Sequence, residues 1–452
     1  MLNDYSTPLS SFYSVCEIIN YVIIIICSLG FVMQFVFFLL SFLRNKKLPV
    51  STNYKRFAVI IACHNEEEVI ALTINKIRET TNYPLDKIDF FVCAHNCTDN
   101  TYEVAKEAGA IVYKLDDPDP THRKAAYPID FLIKKVITEY RNDYDIITKI
   151  DADNICDKDF FNKMNDAHNY GYKITRGYIA SPNITQNIWT KCSALYYMRD
   201  SRISSQVREA LHLDSLLDGG AGGSIDIEIY EELGGLGTFD SSDDMDLTLQ
   251  LLYKKHRIHY VREAIIYNDQ VSTFKDTANR NARMAHGLNL IFFRDFFKMP
   301  YYAIKNGRLS LIDMFLQLLF IPISFLSLFW IVPYYLITMV FHFCNAYWVA
   351  GGVPFMVEWM TPAMSQEQIS LVLMSAVIFI VTLFTMYITE MVICVYDGKK
   401  QGQNITFKNM LDGILLSPLF MLLYNFFVCK GIITRPKWNK LKRNVEFTNN
   451  IN

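Results

Sequence analysis

The chain has 452 residues, enough for two or three domains. Of these 51% are hydrophobic and only 20% charged, with a mean hydropathy of +0.13, which excludes a disordered chain, a coiled coil and an ordinary water-soluble enzyme. The net charge of −2, from 44 basic and 46 acidic residues, provides no positive field for nucleic acid, so no nucleic-acid partner is expected.

In chain order, residues 18–43 carry no formal charge, and as a helix they would extend roughly 39 Å against a hydrocarbon core of about 30 Å. That predicts one membrane span within an N-terminal segment 1–52. Arg44, Lys46 and Lys47 follow it and place that end in the cytoplasm. Residues 53–290 have mixed polarity and read as a soluble domain. Apolar β-branched or aromatic runs at 57–62, 88–94, 110–113 and 145–150 alternate with helical stretches such as 67–80 and 102–108. This alternation predicts an α/β domain with a parallel sheet and helices on both faces, whose ligands bind beyond the carboxyl ends of the strands. Polar clusters stand at those ends: His64-Asn65-Glu66-Glu67, His95 to Asp99, and Asp151-Ala152-Asp153. The ten cysteines are scattered, without a second pair to complete a zinc site, and read as reduced thiols on the cytosolic side.

Residues 291–433 are predicted to be interfacial and membrane-spanning. Residues 291–302 mix aromatics with Arg294, Asp295 and Lys298, the pattern of a helix lying in the interface plane. One crossing is expected within 309–344 and another at 368–389, with 345–367 as the loop between them. The last apolar segment, 413–429, contains Pro418 and is expected to be re-entrant or interfacial, leaving a basic cytosolic tail at 434–452.

Two groups of acids carry the candidate chemistry. Asp151 and Asp153 leave an apolar strand at i and i+2, a pattern that suits a hard divalent cation bridging phosphate oxygens, or a solvated turn. Ser241-Ser242-Asp243-Asp244-Met245-Asp246 follows a glycine-dense loop, 218–223. Its carboxylates either accept a proton from a hydroxyl or form the first turn of a helix capped at Ser242. Neighbouring Asp243 and Asp246 are expected to raise the proton affinity of Asp244.

The segments IIACHNEEEVI, FVCAHNCTDNT, HRKAAY with Lys124, KIDADN, GGAGG to EELGGLG, SSDDMDLTLQL and RNARMAHG occur in order. Together they resemble the membrane-embedded family-2 glycosyltransferases, the group of cellulose, chitin, hyaluronan and poly-N-acetylglucosamine synthases. The resemblance implies a cytosolic GT-A, Rossmann-like α/β catalytic domain inserted between an N-terminal transmembrane helix and a C-terminal α-helical membrane domain, in a multi-pass cell-membrane protein. It makes Asp244 the general base with Asp243 beside it. Asp151 and Asp153 become the ligands of Mg²⁺ or Mn²⁺, and Arg283 the residue facing the diphosphate. Asn65, Glu66, His95, Asp99, Lys124 and Asp151 line the nucleotide, and Gly220, Ala221, Gly222 and Met284 the acceptor.

This chain departs from the family pattern in three places: His95 stands where many relatives have aspartate, Arg280 replaces glutamine, and Met284 replaces the tryptophan that stacks on the acceptor sugar. The implied activity is inverting transfer from a cytosolic UDP-sugar, with processive polymerisation coupled to export as the favoured expectation. A single transfer to a lipid or other membrane-bound acceptor is the alternative. A transporter or receptor with an inactive nucleotide domain is disfavoured by the presence of Asp151, Asp153, Asp244 and Arg283.

Overall fold

The computed structural model describes residues 8–43, 45–217, 221–237, 242–331, 333–334, 366–401 and 405–433. Gly220, residues 345–365 of the expected loop at 345–367 and the basic tail at 434–452 lie outside the described residues, while 366–367 open a helix. The chain divides into two compact units, one formed by Met1–Val36 with Leu316–Ile388, the other by Phe37–Phe315 with Thr389–Asn452.

The larger unit is built on an eight-stranded sheet in the order β3-β2-β1-β4-β7-β6-β8-β5 among the described residues. The runs read from the sequence become β1 (Phe57–Cys63), β2 (Ile88–His95), β3 (Ile111–Leu115) and β4 (Ile146–Lys149), all parallel. β1 is buried along almost its whole length, which is why it reads as one apolar run rather than as an alternation. The expected parallel sheet is found in this half, and the other half adds antiparallel pairing. There β7 (Gly223–Asp226) pairs antiparallel with both β4 and β6 (Ile174–Ala180), β8 (His259–Tyr267) runs parallel to β6, and the short β5 (Ile155–Cys156) is antiparallel to β8. The sheet is therefore mixed.

The helices, in chain order, start with α1 (Pro8–Leu40), α2 (Ile70–Thr80), α3 (Thr101–Glu107), α4 (Ala126–Glu139) and α5 (Phe160–Asn169). α2 buries Ile70, Thr73, Ile74 and Ile77, the stripe that a 3.6-residue period puts on one face. Phe57, Tyr83 and Phe161 close the core with edge-on ring contacts at 5.3–5.4 Å. α6 (Ile188–Arg199) opens with a capping box between Asn187 and Thr190, runs into a π-helical segment over Asp200–Gln206 and continues as α7 (Val207–Ala210). α8 (Ile227–Leu233), α9 (Asp243–Tyr253), α10 (Phe274–Asp295), α11 (Lys298–Asn306), α12 (Leu309–Leu326), α13 (Gln366–Asp397) and α14 (Phe407–Ile433) complete the set. The expected interfacial helix at 291–302 is divided between the end of α10 and α11; its exposed side carries Phe293, Phe297 and Tyr301, followed by exposed Ile304 further along α11.

Three helices are long and apolar enough to cross a membrane, with spans at Val15–Leu40, Ile380–Gln401 and Phe407–Tyr424 among the described residues. The last bears on one of two expected forms: α14 is one continuous helix of 27 residues with Pro418 inside it, which a re-entrant segment would not be, while the interfacial alternative is untouched. It is packed closely. A methyl group added at Gly413 would lie 2.8 Å from Lys191 Cβ on α6, and one at Gly431 would lie 3.1 Å from His286 N on α10. Lys191 also pairs with Asp412 at 2.7 Å, and His286 Nδ1 donates to Gly431 O at 2.7 Å. At the end of α13, Asp397 is fully buried between Arg202, at 2.8 Å, and Arg262. Gln401 accepts from Ser181 N at 2.8 Å and donates to Tyr178 Oη at 2.6 Å. In the smaller unit, Trp330 Nε1 donates to Asn20 Oδ1 at 2.9 Å.

Candidate active site

With the strand order 3-2-1-4, the chain reverses its winding between β1 and β4, and the crevice at their carboxyl ends is the place where such sheets take a ligand. The turn after β1 holds Asn65 in the left-handed region at φ 59°. Asn65 Oδ1 accepts from Thr98 N at 2.7 Å, and buried Glu66 donates its N–H to Thr101 Oγ1 at 2.8 Å. Asp99 accepts from Glu67 N at 3.3 Å and from Thr101 N at 3.1 Å. Three residues expected at the nucleotide thus clasp the β1 and β2 loops to each other and fix the floor of the crevice. His95 ends β2 and is buried; burial lowers its pKa, against a smaller opposing pull from Asp117, so the imidazole is neutral at pH 7. Lys124 lies half-buried just after the turn where His122 stacks on Tyr127 at 4.0 Å.

Opposite this floor, β4 delivers Lys149 and then the Asp151-Ala152-Asp153 turn, where Asn154 is fully buried and its Oδ1 accepts from Asp151 N at 3.0 Å. The Lys149 ammonium donates to Asp243 Oδ2 at 2.9 Å and to Asp244 Oδ1 at 2.7 Å. Burial by itself would lower the pKa of this amine, but Asp243, Asp244 and Asp151 together hold it well above the ordinary lysine value. The expected acidic cluster is therefore corrected. Asp243 and Asp244 share a cation, whereas Asp246 is turned away and held by Arg294. Ser242 is the N-cap residue of α9 but makes no side-chain cap bond.

The glycine loop returns beside the same strand. Gly222 adopts φ +79°, donates to Lys149 O at 3.0 Å and accepts from Gly177 N at 3.0 Å. A side chain there would sit 3.0 Å from Ile266 Cγ2, so this backbone needs glycine. Ala221 beside it is buried.

The third wall is α10, which meets the start of α9 at Gly287. Arg283 lies one helical turn earlier and therefore on the same face. Burial lowers its pKa, as does neighbouring Arg280, while Asp151, Tyr197 and Asp243 oppose them, which places Arg283 in the field of both acid groups. Met284 is half-buried next to it. Arg280 donates to Gln270 Oε1 at 3.0 Å and lies over the Tyr197 ring at 5.6 Å. Lys149, Tyr197 and buried Tyr230, the last of which feels Lys149, Asp243 and Asp244, escaped the sequence reading. Only Lys149 left a trace there, as a charge ending an otherwise apolar strand.

Among the described residues no three His, Cys, Asp or Glu side chains converge as a closed metal cage. Two carboxylates on one turn suit instead a hard cation that completes its shell with phosphate oxygens and water.

A comparison with protein families matches residues 55–287, more than half of the chain, to the family described as "Glycosyltransferase like family 2". The chain belongs to that family. Among solved structures, this glycosyltransferase is similar to the mannosyltransferase PcManGT from Pyrobaculum calidifontis, solved in complex with GDP-Man and Mn²⁺. Identity is 14% and the TM-score 0.50, covering 88% of this chain and 98% of that one. A more distant likeness, with 15% identity and a TM-score of 0.36 over 53% of this chain and 80% of the other, is to glucosyl-3-phosphoglycerate synthase from Mycobacterium tuberculosis. Protein RfbJ of Shigella flexneri is 45% identical over 58 residues, 13% of this glycosyltransferase; the match spans 42% of RfbJ. The fold is thus GT-A, and membership of the family makes the chain a glycosyltransferase.

Proposed function

We propose that the enzyme transfers a sugar, with inversion, from a UDP-sugar to an acceptor hydroxyl at the cytosolic face of a membrane. One observation carries this reading: Asp243 and Asp244 on α9, Asp151 after β4 and Arg283 on α10 share one electrostatic environment around Lys149, at the carboxyl edge of the parallel strands. Asp244 takes the hydroxyl proton as the acceptor oxygen bonds to the anomeric carbon from the side opposite the leaving nucleoside diphosphate. Arg283 compensates the charge that grows on that leaving group. Asp151 and Asp153 would hold Mg²⁺ or Mn²⁺, which supplies further neutralisation of the diphosphate. Asn65, Glu66, Asp99, His95 and Lys124 are assigned to the nucleotide, and Gly220, Ala221 and Gly222 to the acceptor, where Gly222 in the left-handed region presents backbone without a side chain.

At a finer level we propose repeated addition, with the polymer passed outward through the apolar helices that follow the catalytic domain. A single addition to a lipid-borne acceptor is the reading favoured by Met284, whose thioether offers less surface for stacking on a sugar ring than an indole would.

Membranes containing the full chain, incubated in turn with single UDP- and GDP-sugars, test this by UDP or GDP release and by mass spectrometry of the product. One UDP-sugar should be consumed, giving a ladder for polymerisation and a single adduct for the second reading. Asp244→Asn should lower transfer by roughly 10²–10⁴ while UDP still binds. Arg283→Ala should impair hydrolysis and transfer together. Consumption of a GDP-sugar alone overturns the uridine assignment, and unaltered incorporation by Asp244→Asn overturns the base.

A further inference from the structure

An amine that ends a core strand is costly to bury unless its charge is answered. Lys149 is such an amine: its side chain is only 14% exposed, and its two short contacts go to the two carboxylates that open α9, 94 and 95 residues further along the chain. The same ammonium feels Asp151, two residues on. The neighbouring Thr148, whose side chain points to the other face of the strand, is spent on a neutral bond to Ser224 Oγ at 2.8 Å.

We infer that Lys149 is a positioning residue for the acceptor-side base, holding the Asp244 carboxylate ionised and oriented next to Asp243 and tying it to the donor-side turn of the same strand. The inference rests on Asp244 being the base. Around Lys149 the charged and titratable groups are Asp243 and Asp244 of α9, Asp151 beyond β4 and Tyr230 of α8; Arg283 of α10 in turn feels Asp151 and Asp243. Without the ammonium, Asp243 and Asp244 would stand side by side, and one of two adjacent carboxylates takes up a proton. A base that is already protonated cannot accept the acceptor's proton, so transfer would fail at a pH where donor binding is still intact. The cation weakens Asp244 as a base but keeps its working form populated and aimed.

The test uses the full chain in lipid nanodiscs, with UDP-glucose and UDP-N-acetylglucosamine as donors and UDP as the affinity probe. Lys149→Met should lower kcat for transfer roughly 10- to 100-fold and leave UDP affinity within about 3-fold. It should also move the acidic limb of the pH–rate profile upward by about one unit. Lys149→Arg, which keeps the charge, should return the limb to its original position and recover most of the rate. If Lys149→Met does not fold, Asp243→Asn serves instead: with one carboxylate gone the limb should move to lower pH. A limb that stays put in Lys149→Met or in Asp243→Asn overturns the inference, as does a loss of UDP affinity that accounts for the lost rate. Near-normal transfer by Asp244→Asn would instead show that the base assignment itself is wrong, whereas a large loss there beside a silent Lys149→Met removes only the role of Lys149.

Discussion

Gly287→Ala puts the smallest side chain into the contact that aligns α10 with the acids of α9. The new methyl would lie 2.9 Å from Ser242 Cβ and 3.0 Å from Ser242 N. A serine hydroxyl can rotate away, but its Cβ and backbone nitrogen cannot, so one helix must give. Overpacking of this kind costs about 1–3 kcal/mol. For a domain of this size that is a fall in Tm of roughly 2–10 °C. The larger effect is expected on rate. Ser242 immediately precedes Asp243 and Asp244, and Arg283 lies one turn from residue 287, so the displacement falls between base and diphosphate contact. A misplacement of about 1 Å can cost about 10²-fold in rate. Transfer kcat, UDP affinity and Tm should be measured for Gly287→Ala, for Ser242→Gly and for the double variant, since glycine at 242 removes the Cβ and hydroxyl but not the nitrogen. The expected pattern is a large loss of kcat with UDP binding retained, partly recovered in the double variant. Wild-type kcat and Tm in Gly287→Ala, or no recovery in the double variant, would refute the idea that this contact sets the geometry.

The other expectations concern charge. Asp153→Asn should weaken Mn²⁺ binding in the presence of UDP, followed by electron paramagnetic resonance, and EDTA should abolish transfer until Mg²⁺ or Mn²⁺ is restored. Asp397→Asn leaves Arg202 and Arg262 without their shared carboxylate, a broken buried pair of the kind that costs about 3–5 kcal/mol, and thermal unfolding should show it. His95 is held neutral by burial, so its folded pKa lies below the unfolded value of about 6.5. Above that pH neither state takes the proton, and as pH falls below it the unfolded state takes it first, so stability is lost on the acid side. His95→Asn should flatten that slope in urea unfolding followed between pH 7 and pH 5, chosen to bracket a value of about 6.5.

The parallel half of the sheet was legible because strands buried on both faces leave unbroken runs such as FAVIIAC and IDFFVCA. The antiparallel half was not. β7 is four residues led by glycine, β6 carries Arg176, buried with Asp200 nearby at 3.6 Å, and β8 carries Arg262 and Glu263 where its pairing with β6 shifts register. Each of these looks like loop until a distant partner is known. Asp151, Asp243, Asp244 and Arg283 could be picked out by motif, but the Lys149 contact joins residues 94 and 95 positions apart and has no local signature. The continuity of α14 was hidden for a different reason. Pro418 is a strong helix breaker in isolation, yet it is accommodated inside a helix that packs on α6 and α10.

The close seating of α14 also bears on the order in which the enzyme is made. The compact unit that carries the acids is assembled from two separate stretches of chain, and the second begins only at Thr389. While the ribosome is still producing the intervening residues, Lys191 of α6 and Ala282 and His286 of α10 lack their contacts with Gly413 and Gly431, which have not yet been synthesised. A gene fragment cut where the family match ends, at residue 287, would never make those contacts. The seating of α14 against α6 and α10 is therefore one of the last contacts of this unit that synthesis makes possible.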